Sequence, residues 1–128
     1  MPSPADTARE WVAAMRTGAS RDHLAAPGFR FVGQAFAGLI LDLDDQHSPD
    51  AASDLLAGTG IRLNFREVEP AGPGRAWVEV VWAHDAGHGH GSAGLQWVVF
   101  TVEDGLVTEV HFFQERELAR AYAFDPSA

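Results

Sequence analysis

Between Leu95 and Glu115 the chain reads LQWVVFTVEDGLVTEVHFFQE, two apolar runs on either side of a single Asp104-Gly105. β-Branched and aromatic residues suit a pleated, half-buried surface, and Asp-Gly between two such runs is the strongest short-range hairpin pattern. A chain with this stretch builds a long antiparallel hairpin, and with it a sheet that has a face to bury. The turn decides which side chains reach that face, because a one-residue slip moves every one of them across. With a three-residue turn, Glu103-Asp104-Gly105, Val102 stands opposite Leu106. Gln96, Val98, Phe100, Val102, Leu106, Thr108, Val110, Phe112 and Gln114 then share one face. Leu95, Trp97, Val99, Thr101, Val107, Glu109, His111 and Phe113 take the other. A two-residue turn instead puts Glu109 and His111 beside Val98 and Phe100. The three-residue turn is preferred, since its first face is nearly all apolar until Gln96 and Gln114 at the ends.

Upstream, Asp6 or Thr7 caps a helix, with Glu10 completing a capping box after Thr7. Ala8, Trp11, Val12 and Met15 follow at helical spacing and Gly18 ends the helix. Ser20 caps a short second helix through Ala25, closed by Pro27-Gly28, and Phe29 to Val32 and Leu39 to Leu43 read as short strands. Ser48-Pro49 starts a third helix anchored by Leu55 and Leu56 and stopped at Gly58 or Gly60. Ile61 to Glu69 and Ala76 to His84 alternate as half-buried strands about the PAGPG turn. DAGHGHGSAG is a loop, and Arg116 to Phe124 a short helical or irregular tail. Helices followed by a run of antiparallel strands make an α+β fold, a curved sheet wrapped over the N-terminal helix with three helices in all.

The length of 128 residues fits one domain, 1–128, with a real core. A net charge of −9 speaks against nucleic acid or an anionic membrane as partner. The chain has no cysteine, hence no disulfide and no thiolate chemistry, and all nine basic side chains are arginine. The start, MPSPADTARE, has neither the basic nor the apolar region of a signal peptide, so a cytoplasmic protein is expected.

Two segments, REWVAAMRTGASRDHLAAPGFRFVG and WVVFTVEDGLVTEVHFF, resemble the nuclear transport factor 2-like superfamily, which includes SnoaL-like polyketide cyclases and ketosteroid isomerases. The resemblance spans nearly the whole chain. It implies a cystatin-like α+β barrel around a conical cavity, and a small-molecule activity without a cofactor. The isomerases' catalytic positions are not matched. Trp11 stands where they carry a helix-one tyrosine, Val32, Gly33 or Gln34 where they carry a base aspartate, and Val98 near their second acid. The Arg-plus-two-Asp set of limonene epoxide hydrolases is also missing, the corresponding strands carrying Gln96, Val98 and Phe112.

On the preferred register the cavity is lined by Trp11, Met15, Phe31, Leu63, Phe65, Val80, Trp82, Val98, Phe100, Val110 and Phe112, with Gln34, His84, Gln96 and Gln114 at its rim. An apolar concavity with a few polar groups is the usual small-molecule pocket, and the rings suit a flat hydrophobic ligand. The plainer reading is that these side chains simply fill the core. His84 is the candidate general acid or base, since imidazole titrates near neutral pH. With the other turn, Glu109 and His111 take that role. His84, His88 and His90 have a spacing that suits a transition metal, yet four nearby glycines make a floppy site, and no metal or cofactor is expected. Asp42, Asp44, Asp45, His47, Asp50 and Asp54 read in the same way as a solvated loop. The outer face, with Trp97, Val99, Thr101, His111 and Phe113, is apolar enough to seat a second copy in a homodimer. Two functions follow: a SnoaL-like cyclase or isomerase acting on a polyketide-like or aromatic substrate, or a non-catalytic binding module. Metal-dependent chemistry at the histidine loop is a third.

Overall fold

The computed structural model describes residues 3–33, 48–50, 60–85 and 91–124. Helix α1, Pro4–Thr17, begins earlier than the sequence pattern suggests. Ser3, not Asp6 or Thr7, is the cap: its Oγ accepts from the Asp6 N–H at 3.1 Å and Asp6 accepts from the Ser3 N–H at 3.4 Å. Pro4 in the first turn favours this start, and Thr7 is instead buried on the core-facing side with Ala5, Ala8, Trp11 and Val12. Gly18 ends the helix as expected. The short second helix is one 3-10 turn, Asp22–Leu24, because the chain turns extended at Ala25. Of the expected third helix only Pro49 and Asp50 are described, and both are helical. Asp50 fastens this point to the end of α1, accepting from Ser20 Oγ at 2.6 Å and from the Arg21 N–H at 3.0 Å. The strand expected at Leu39 to Leu43 lies outside the described residues.

Strands β1 (Ala25–Val32), β2 (Ile61–Phe65), β3 (Glu69–Pro70), β4 (Arg75–Asp85), β5 (Gly91–Glu103) and β6 (Leu106–Phe113) form one sheet in the order β1-β6-β5-β4-β2, with β3 also on β4. The sheet is not wholly antiparallel. β1 runs parallel to β6, pairing Phe31 with Val110, and a register shift between Ala25 and Arg30 takes up Pro27-Gly28. The expected strand from Ile61 to Glu69 is broken at 66–68, and β5 begins at Gly91, inside the stretch read as loop.

The β5–β6 turn has two residues, not three. Asp104 at φ 53° and Gly105 at φ 78° are both left-handed, the pattern of a type I′ turn, and Glu103 pairs with Leu106. A bulge then leaves Thr108 without an opposite residue between the Val102–Val107 and Thr101–Glu109 pairs. The bulge restores the expected faces from Val110 onward, where Phe100 pairs with Val110 and Val98 with Phe112. It also reverses two assignments: Val107 is buried in the concave core, and Leu106 is paired with Glu103 beyond it.

The tail forms a helix, labelled α2, Arg116–Phe124, which lies on the outer face of the sheet. Ala119 and Ala123 are small enough to bring it down on Trp77 and Val99, and all four are buried. That face therefore carries a helix of the same chain over Val99, with Trp97, Phe113 and Tyr122 packed at its margin. Beneath α2, Tyr122 Oη donates to Glu109 Oε1 at 2.6 Å and Arg30 donates to Glu109 Oε2 at 3.1 Å. The Arg75 guanidinium stacks 3.9 Å from the Tyr122 ring centre and donates to the Tyr122 carbonyl. His111 clusters with the Phe113 and Tyr122 rings, with Nδ1 3.4 Å from Glu109 Oε1. Among the described residues no helix is long and apolar enough to cross a membrane.

Burial works to raise the Glu109 carboxyl, but the bonds from Tyr122 and Arg30, with the charges of Arg30 and His111, outweigh it and hold it below the ordinary glutamate range. Burial lowers the His111 imidazole, and the neighbouring Glu109 only partly offsets this. Both groups bind protons more readily when unfolded, so acidification weakens the fold, first below the ordinary histidine range and then through the carboxyl range. Tyr122→Phe removes one of the bonds that hold Glu109 ionised. It is expected to cost about 1–2 kcal/mol, the low part of the range for a hydrogen bond to a charged group because the pair is partly solvated. Urea unfolding of both proteins from pH 7.5 to 4 should show this loss together with a flatter acid limb in the variant.

Candidate functional site

The concave face of the sheet closes on α1 through a continuous set of rings. Trp11 lies 5.4 Å from Phe29 and 6.0 Å from Phe100, Phe29 4.8 Å from Phe31, and Phe31 6.0 Å from Phe112, centre to centre. Trp11, Phe31, Phe65, Trp82, Val98, Phe100 and Val110, all expected to line a cavity, are buried members of this core with Val78 and Val80. At this end the rings pack on each other. Ile61, Leu63, Met15 and Phe112 are only partly buried against the same core, so the apolar wall continues toward solvent through them. Phe29, fully enclosed and in alternation with Phe31 in FRFV, joins this wall in addition to the residues expected there.

Three polar side chains enter this apolar setting. Gln96 is 0% exposed, opposite Val80 on the neighbouring strand. Trp82, two pairs further along, lies against Gly94 so closely that a Cβ there would stand 3.0 Å from the indole. Arg21 is 4% exposed, with its guanidinium 5.8 Å from the Trp11 ring centre and Nη2 donating to the Pro49 carbonyl at 2.9 Å. Nothing in the sequence marks Arg21, whose burial comes from the meeting of residues 20–22 with 48–50. His84, half-buried, follows Trp82 by two positions on β4 and pairs with Ile61 and Ser92. It is the one imidazole or carboxyl side chain in the concave alternation of β4 to β6 among the described residues.

The other candidates fall elsewhere. Glu109 and His111 lie on the outer face, engaged with Tyr122 and Arg30 under α2 rather than with the core. Gln114 is exposed beyond the end of β6, and Gln34, His88 and His90 are outside the described residues. Val32, one of the three positions that the resemblance sets against an isomerase base, pairs with His111 on the edge strand, and Val98, near the second acid position, is a buried wall residue. An amide, a guanidinium and one imidazole around an apolar wall can orient a carbonyl or enol oxygen and move a single proton. They supply no carboxylate nucleophile or paired general acids.

No protein-family model and no curated protein sequence matches the chain. Solved structures do. An NTF2-like protein from Burkholderia thailandensis is similar over 96% of this chain and 98% of its own, with a TM-score of 0.69 at 16% identity. TerC, co-crystallised with polyporic acid, is similar over 94% and 98%, with a TM-score of 0.63 at 15% identity. A Jannaschia protein provisionally called a SnoaL-like polyketide cyclase is similar over 98% and 96%, with a TM-score of 0.59 at 16% identity. The element order, the curved sheet around α1 and these full-length likenesses agree, and the chain has the nuclear transport factor 2-like fold found in SnoaL-like proteins.

Proposed function

We propose that the chain takes a flat, hydrophobic small molecule against the partly buried wall of Ile61, Leu63, Met15 and Phe112, with a ligand oxygen directed toward Gln96. The observation that carries this reading is the fully buried Gln96 amide within an otherwise aromatic and aliphatic wall. Apolar walls with few, fixed polar groups are how small-molecule sites combine affinity with orientation. TerC, of the same fold, was crystallised with polyporic acid, which makes that compound a reasonable first probe.

The chemistry that fits is a cyclisation or isomerisation in which the wall holds a reactive conformer and His84 moves one proton. Holding reacting groups in a near-attack arrangement supplies much of such a barrier, so a sparse catalytic set is compatible with turnover. A second reading, a non-catalytic carrier, draws on the lack of a carboxyl on the concave β4–β6 wall among the described residues. A homodimer remains a proposal on the outer face, restricted to the part around Leu95 and Trp97 that α2 leaves partly open.

Polyporic acid is expected to quench tryptophan fluorescence saturably, since Trp11 and Trp82 belong to this wall. Gln96→Leu should weaken binding by about tenfold, the worth of one buried hydrogen bond in a nearly isosteric change, provided the urea midpoint stays within about 1 kcal/mol of the parent. Unchanged affinity in a folded Gln96→Leu protein contradicts the assignment. With a cyclisable polyketide-like substrate, His84→Ala should cut kcat by about a hundredfold or more while leaving affinity unchanged. If no such substrate turns over in either protein while binding persists, the carrier reading holds.

A further inference from the structure

A groove of about 590 Å³ between α1 and the segment after β2 gathers three of the nine arginines. Arg9, Arg16, Asn64, Arg66 and Glu67 line it, with Val12 and Phe65 as apolar lining. Arg9 and Arg16 are seven residues apart on α1, two turns and about 10 Å along one side of the helix. Each is tied to the facing segment by a backbone carbonyl: Arg9 Nη2 donates to Val68 O at 3.2 Å and Arg16 Nη2 to Phe65 O at 2.8 Å. A carbonyl fixes the direction of a guanidinium without neutralising it, and the group has further N–H donors to offer. Arg9 meets Asp6 at 3.2 Å, whereas neither Arg16 nor Arg66 has a carboxylate partner among the described residues.

In a chain of net charge −9, a groove lined by three arginines and one carboxylate, with Arg16 and Arg66 lacking a carboxylate partner among the described residues, is locally basic. Their planar donor forks match the oxygens of phosphate and carboxylate, and such charge-assisted bonds are the strong ones. We infer that this groove binds the phosphate or carboxylate group of a small molecule, with Arg16 and Arg66 as its main partners and Arg9 and Asn64 beside them. Val12 and Phe65 also belong to the concave core, so an occupant clips α1 to β2 from the back. The inference is independent of the ligand proposed for the concave wall.

The test is a titration of the isotope-labelled full chain with inorganic phosphate and, separately, with succinate, at ionic strength held constant by sodium chloride. Arginine side-chain N–H resonances are followed by NMR. Saturable shifts confined to Arg9, Arg16 and Arg66 are expected with at least one of the two anions, and which one saturates identifies phosphoryl or carboxylate chemistry. Arg66→Gln should weaken that binding by about tenfold. Arg66 makes no side-chain bond to another described residue, so its replacement should leave the urea midpoint in place, and Arg66→Lys should recover only part of the affinity because it keeps the charge without the fork. Shifts that never saturate with either anion, or equal affinity in Arg66→Gln, overturn the inference.

Discussion

Thr108 has no opposite residue between the Thr101–Glu109 and Val102–Val107 pairs, and the side on which every later residue of β6 falls depends on it. Its hydroxyl donates to the Thr101 carbonyl at 3.2 Å across the bulge. Continued without that extra residue, the two-residue turn would carry Glu109 and His111 to the side of Val98 and Phe100. A carboxylate among those rings would cost on the order of several kcal/mol unless it were paired. With the bulge in place, Val110 and Phe112 complete the concave wall, and Glu109 meets Arg30 and Tyr122 on the far side.

One strand thus serves two interiors. Val98 and Phe100 of β5 face the rings around Trp11, while Val99 between them is fully covered by α2. The Glu109 network is what gives α2 a specific seat: Tyr122 supplies the hydroxyl, Arg75 holds the backbone at the same residue, and Ala119 and Ala123 permit close approach. An ionisable pair that might be read as catalytic is therefore occupied in holding a helix. On the concave wall, among the described residues of β4 to β6, His84 is then the one imidazole or carboxyl side chain.

Much of this was legible in the chain. The hairpin, the buried side of α1 and the alternation of β4 follow from periodicity, and the inward Val110 and Phe112 follow from the requirement that an apolar face be buried. The turn itself was misread, because Asp-Gly fits both a two-residue turn and a bulged three-residue one, and a later bulge restores the same faces. Local pattern also does not encode what depends on distant partners. The parallel pairing of β1 with β6, the burial of Arg21 beside Pro49 and the landing of α2 on Val99 each bring together residues far apart in sequence. The Ser3 cap was missed because Asp6 and Thr7 are equally good capping types, and only the preceding Pro4 favours the earlier start.

On the function proposed above, the apolar side of the sheet nearest α1 takes the ligand, with affinity from the wall and orientation from Gln96. Intermolecular NOEs from bound polyporic acid test it most directly. Cross-peaks are expected to the side chains of Met15, Leu63 and Phe112, and none to Trp97 or Phe113. Cross-peaks to Trp97, Phe113 or Tyr122 instead would contradict it and move the functional surface to the outer face.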